Sequence, residues 1–236
     1  MHLSHCPNEP VMRKRVRTAL FICCGLLPVL GAGLFALYLA WRQVPDFYLQ
    51  AIDVDPVRQQ RASDQMLQRA TALYSDVEKG GRWEALFTAE QINGWLAVDL
   101  VENHPRALPR SLRDPRVAID PQRMTLACRM RRGKTDSVVT LTVEPYLPEP
   151  NVLAVRICRA RAGLLPLPLD GILDSIRETA GRADVHLRWQ QADGDPVALI
   201  SIPPTHGKEG KPVRIETLRL GKGEIYLAGT TGQRNR

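Results

Sequence analysis

VVTLTVEPYL, PEPN, VLAVRICRARAG, LLPLPL and DGILDSIRETA succeed one another from Val138 to Ala180, and the punctuation between them sets the architecture. The first and third pieces are β-branched, apolar-rich runs of strand length. Between them stand Pro148, Glu149, Pro150 and Asn151, where proline cannot donate to a ladder and asparagine tolerates a turn. An antiparallel hairpin is expected. Gly163 ends its second strand, and Pro166 and Pro168 force an extended approach to the next element. Beyond them Leu169, Ile172, Leu173 and Ile176 recur at helical spacing, with Asp and Glu on the other face. A long hairpin therefore hands over directly to an amphipathic helix able to lie across it.

Outward from this hairpin the chain continues as strands. Arg116–Asp120 and Arg123–Met130 are expected to pair around Asp120-Pro121-Gln122, and Met124, Leu126, Cys128 and Met130 alternate with wet positions. After the helix come Val185–Gln191, a turn at Asp193-Gly194-Asp195-Pro196, and Val197–Ile202. A last hairpin, Val213–Leu220 with Glu224–Ala228, turns at Gly221-Lys222-Gly223. The residues from Gly229 read as a polar tail that frays. Upstream, Asp55 caps and Pro56 opens a helix that runs to Lys79 and stops at Gly80-Gly81. Met66, Leu67, Ala70, Leu73, Tyr74 and Val77 form its apolar stripe. Thr88-Ala89-Glu90-Gln91 is a capping box for a further helix, closed by His104-Pro105.

The 236 residues carry a formal net charge of +7. Part of that excess is local, in Arg13, Lys14, Arg15 and Arg17 against Glu9. Aromatics make up only 6% of the chain and no nucleic-acid-binding motif is present, so a nucleic-acid partner is not expected. Thr18 to Trp41 contains no charge, and as a helix would be about 36 Å long, enough to span a bilayer with some tilt. The basic cluster lies before it, which places the N-terminus in the cytoplasm and the bulk outside a bacterial cytoplasmic membrane. A cleaved signal peptide is the rival, disfavoured by the length of the run and the lack of a small-x-small site. The expected organisation is a basic tail (1–17), a transmembrane helix (18–41), a juxtamembrane helical segment (42–108), an antiparallel sheet with a covering helix (109–230), and a frayed end (231–236). The fold class is α+β, with a twisted meander sheet packed on or wrapped around one amphipathic helix.

The order of parts resembles a known family. Phe87-Thr88-Ala89-Glu90-Gln91-Ile92-Asn93-Gly94-Trp95-Leu96 resembles the helix opening of the YpmS-like bacterial membrane-anchored proteins, whose activity is unknown. Ala162-Gly163-Leu164-Leu165-Pro166-Leu167-Pro168 is similar to their link between strand and helix. A similar element occurs in secreted proteins related to the tubular lipid-binding superfamily. Over Thr88 to Ile202 the resemblance implies a bent antiparallel sheet around a helix, with an apolar groove able to hold lipid. It implies no catalytic residue.

Two constellations stand out. Arg129, Arg131, Arg132, Lys134, Arg159 and Arg161 are expected at one end of the sheet, where they could hold lipid phosphates or serve as a solvated rim. Leu164, Leu165, Leu167, Ile172 and Ile176, with Trp95 and Leu96, could line an apolar groove or form the dry core. Cys128 and Cys158 are expected a whole strand apart and free. His2, His5 and Cys6 lack a fourth metal partner, and Asp193-Gly194-Asp195-Pro196 lacks the later ligands of a calcium loop. Asp170 and Asp174 share a helix face, but Asp170 is explained by the helix dipole. No nucleotide, zinc or nucleophile motif occurs, so neither an enzyme nor a cofactor is expected. The leading expectation is binding of lipid or another apolar ligand. The alternative is a structural component contacting an envelope protein.

Overall fold

The computed structural model describes residues 29–105, 107–109, 111–132, 135–182, 186–206 and 210–232. Its chain divides into two units, Met1–Trp41 and Arg42–Arg236. A helix, α1, covers residues 29–42. Among the described residues no helix is long and apolar enough to cross a membrane. Residues 18–28 of the expected span, the basic tail with His2, His5 and Cys6, and Lys134 lie outside the described residues.

The larger unit is α+β, as expected. It begins with α2 (Asp46–Ile52) and α3 (Pro56–Lys79). Asp55 caps α3 by accepting from the backbone N–H groups of Val57 and Arg58, which satisfies donors that have no partner inside the helix. Gly80 and Gly81 both have φ of 87°, open to glycine without strain, and they turn the chain into β1 (Gly81–Thr88). Thr88 then starts α4 (Ala89–Ala97) with both halves of the capping box formed. The expected single helix up to His104 is two, α4 and the short α5 (Asp99–Asn103).

The hairpins read from sequence are all present: β2 (Leu112–Ile119) with β3 (Met124–Arg132), β4 (Thr135–Glu149) with β5 (Val152–Ala162), and β7 (Leu187–Ala192) with β8 (Asp195–Ser201). A short β6 (Leu165–Pro166) folds back on β5, and α6 spans Asp170–Arg182. These strands form one antiparallel sheet in the order β2-β3-β4-β5-β8-β7. The half-buried positions of α6 are Ile172, Leu173, Ile176 and Ala180, and its Arg177 guanidinium lies 5.4 Å from the ring centre of Trp189 on β7.

The remaining strands correct the expectation of one meander. β10 (Lys211–Gly221) and β11 (Glu224–Thr231) belong to a second sheet, ordered β1-β11-β10-β9 with β9 at Thr205–His206. β1 was not expected at all. Yet Trp83, Ala85 and Phe87 alternate as its buried face, a period-two pattern present in the sequence. Nor does the tail fray from Gly229. β11 runs on to Thr231, which is buried and accepts a 3.1 Å hydrogen bond from the Trp83 indole.

Asn151 joins the two sheets. It occupies the β4–β5 turn with φ 63°, and its side-chain amide donates to the Val213 carbonyl (2.7 Å) and accepts from Ile215 N–H (2.6 Å). The residue thus ends one hairpin and acts as a rung for the other sheet. Asn93 does the same at the free edge of β2, donating to Val117 O at 2.9 Å and accepting from Val117 N–H at 2.7 Å. An edge that would present unpaired backbone is closed by a side chain.

The stripe on α3 also differs from expectation. Ala62, Ser63, Met66, Leu73 and Val77 turn inward, while Leu67, Ala70 and Tyr74 stay exposed. The cause lies in α4. A Cβ added to Gly94 would meet Ala62 Cβ and Ser63 N at 2.6 Å, so the two helices touch backbone to backbone there. That contact fixes the rotation of α3, overriding the preference of Leu67 and Tyr74 for burial.

Candidate functional site

α2 is the element around which two recesses of this unit form. Direct cross-strand partners share a face of a sheet, as do residues two apart along a strand. By this rule Thr125, Ala127, Arg129 and Arg131 of β3 lie on the same face as Val138, Thr140 and Thr142 of β4 and Arg159 and Arg161 of β5. Tyr48 of α2 lands on this face against Ala127 and Val138, with Val44, Phe47 and Ile52 around it. Its side chain is 1% exposed and its hydroxyl donates to Asp114 O at 3.0 Å. Burial first, and then the Asp114 carboxylate, push the Tyr48 hydroxyl up to about 12. Arg116 anchors the helix end, donating to Ala51 O at 3.0 Å, and burial lowers its pKa.

This placement divides the expected basic cluster. Arg131 faces Asp136 in register and Arg159 faces Thr142, six residues further along β4 and so about 20 Å away. Arg129 pairs with Asp114 at 3.5 Å. Arg131 makes a two-pronged contact with Asp136, Nε at 2.9 Å and Nη2 at 3.2 Å, which holds the carboxylate below its usual range. Arg132 sits opposite Thr135 at the strand end. Arg159 and Arg161 are on the other side of α2, in a recess of about 260 Å³ with Thr125, Thr140, Thr142 and Leu164.

A second and larger recess, about 540 Å³, opens between α2, α3 and α4 on one side and the ends of β2 and the β10–β11 turn on the other. Its apolar wall is Phe47, Ala51, Val54, Ala62, Val117 and Ile119. Charge stands at the rim, where exposed Arg58 and Glu90 pair at 2.9 Å and Asp120 and Lys222 face solvent. Small residues make the space: Ala51, Ala62, Ala89 and Gly223 leave volume where larger side chains would fill it. The mouth is pinned by backbone, with Gly223 N–H donating to Ile119 O at 2.9 Å and Ala89 N–H to Gly223 O at 2.8 Å. Asn93 and Gly94 of α4 also line this cleft.

The residues expected to line one apolar groove are distributed. Trp95 packs on His104, ring centres 6.1 Å apart, and Leu96 is half-buried beside it. Leu164 is 50% exposed at the arginine recess, and Leu165 and Leu167 fold back onto Ala162 and Ala160. Ile172 and Ile176 are half-buried on α6. Neither of the two recesses takes lining from both Trp95 and Leu164. Cys128 and Cys158 are free, and burial pushes the Cys128 thiol up to about 11, away from reactivity at neutral pH. Among the described residues, no group of three or more His, Cys, Asp or Glu could hold a metal ion.

No family model, curated protein or solved structure matches this chain.

The larger cleft draws on residues between Phe47 and Gly223, so no local pattern marks it. For the arginine recess a signal did exist. The turn at Pro148–Asn151 places Thr-x-Thr at 140–142 opposite Arg-x-Arg at 159–161, and the two irregularities between them cancel.

Proposed function

We propose that this chain is a membrane-tethered, non-catalytic binding module whose α+β unit takes an apolar or amphiphilic ligand, of the lipid class, in the cleft beside α4. The observation that carries the reading is the cleft itself. Its volume of about 540 Å³ falls in the range of small-molecule sites, and its lining is mostly apolar with a few polar groups, Gln50, Gln59 and Asn93, beside the charged rim. The uncharged run from Thr18 to Trp41 after a basic cluster supports the tether, with the N-terminus cytoplasmic and the larger unit outside. The motif resemblance to the YpmS-like family supports the same reading, since Asn93 and Gly94 belong both to that motif and to the cleft.

Native mass spectrometry of the full chain, released from detergent micelles and offered dodecanol, tests the proposal. One retained molecule per chain is expected. Val54→Trp, which fills the cleft from its wall, should abolish retention while leaving circular dichroism unchanged. Equal retention by both proteins, or none by either, would refute it. One observation favours a structural role instead: Leu67 and Tyr74 are 42% and 57% exposed on the outer side of α3. A cleft that takes no ligand would give that reading priority, with an envelope protein covering this strip.

A further inference from the structure

We infer that the recess bearing Arg159 and Arg161 is a binding site for a phosphate-type oxyanion. Arg159 and Arg161 are two residues apart on one strand and on one face of it, so their backbones are about 7 Å apart and their charges repel. Four arginines of this sheet have a carboxylate partner: Arg123 has Glu144 at 2.8 Å, Arg129 has Asp114, Arg131 has Asp136, and Arg156 has Asp193 at 3.2 Å. Among the described residues Arg159 and Arg161 have none. The Nε of Arg161 is also shut off from solvent without a hydrogen-bond acceptor, an arrangement that costs free energy unless an acceptor arrives.

The surroundings define the acceptor. Thr142 stands directly opposite Arg159 and Thr140 directly opposite Arg161, and Thr125 lies one strand further, its hydroxyl 3.4 Å from that of Thr142. Two guanidinium forks and three hydroxyls converge on one recess of about 260 Å³. A carboxylate offers two oxygens and is satisfied by a single fork. A phosphate or phosphomonoester offers three terminal oxygens and up to two negative charges, which matches paired forks with hydroxyls beside them. One carboxylate, the exposed Asp46, also lines the recess without forming an ion pair to either arginine. Its negative charge opposes an anion in the recess. This site stands on different residues from the apolar cleft, apart from Phe47, which lines both.

Equilibrium dialysis of radiolabelled inorganic phosphate against the full chain in a non-ionic detergent tests the inference. Saturable binding to one site is expected, weakened at least tenfold in Arg161→Gln and in Arg159→Gln. Arg159 is exposed, so its variant keeps the test open should Arg161→Gln fail to fold. Arg131→Gln, at an arginine already paired, should bind as the parent does. No saturable binding, or equal loss in Arg131→Gln, overturns the inference, as does full binding in both recess variants. Displacement of phosphate by short-chain phosphatidate but not by phosphatidylcholine assigns the site to a lipid headgroup; displacement by neither assigns it to a free phosphate. Dodecanol retention, read separately, is unaffected by either recess variant, so failure of one site is distinguishable from failure of the other.

Discussion

Gly94→Ala separates two opposed effects at one position. In a helix open to solvent this change stabilises by about 1 kcal/mol, because alanine loses less backbone freedom on folding. Here the new Cβ would stand 2.6 Å from Ala62 Cβ, 2.6 Å from Ser63 N and 2.8 Å from Ala62 C. Carbon atoms in contact prefer about 3.5–4.0 Å, so the helices must part by about 1 Å. Two of the three atoms met are backbone, and Ala62 and Ser63 are themselves buried, so no flexible side chain can absorb the shift. Overpacking of this kind costs about 1–3 kcal/mol, and backbone contact argues for the upper part of that range. The net expectation is a loss of about 1–2 kcal/mol, or about 3–6 °C in Tm for a domain of this size. Urea denaturation followed by tryptophan fluorescence is the assay, since Trp95 adjoins the substitution. Adding Ala62→Gly removes the Cβ contact but not the one with Ser63 N. It should therefore recover part of the loss, with a coupling of at least about 0.5 kcal/mol. A Gly94→Ala protein as stable as the parent, or more stable, would refute the claim that backbone contact sets how α3 is rotated.

Two further perturbations probe the joints around the recesses. Asn151→Gly keeps the turn at φ 63° free of strain and removes both amide bonds to β10. It should cost about 2–4 kcal/mol and speed amide exchange at Ile215; unchanged stability would show that the sheets are held together elsewhere. Tyr48→Phe should cost about 1 kcal/mol at neutral pH through the lost bond to Asp114 O. In the native protein the folded state keeps the Tyr48 proton up to about pH 12, whereas the unfolded chain releases it near its ordinary value of 10. That part of the stability is complete below pH 10 and is lost as pH climbs through about 12. The gap between parent and Tyr48→Phe should therefore narrow over that window in urea melts, and a gap that widens would contradict the assignment.

Local order was open to reading in the chain itself. The Asp55 cap, the Thr88 capping box, the β4–β5 turn and the β7–β8 and β10–β11 hairpins each depend on residues a few positions apart, and periods of two and 3.6 announce them. Arg159 and Arg161 were legible as basic residues on one strand. Which arginines kept a free charge was not, because that depends on where β3 and β5 fall against β4 and on where Tyr48 sits between them.

The amino-acid order thus determined α3, the start of α4, α6, the hairpins and the α+β class, since short-range sterics and hydrogen bonding suffice for those. Only tertiary contact decided the rest. β1 meets β11 across most of the chain, Gly94 turns Leu67 outward, and two asparagine amides complete ladders they do not belong to. A residue pattern is the same whichever distant partner it meets, so the cleft and the oxyanion recess exist only once those partners have been chosen.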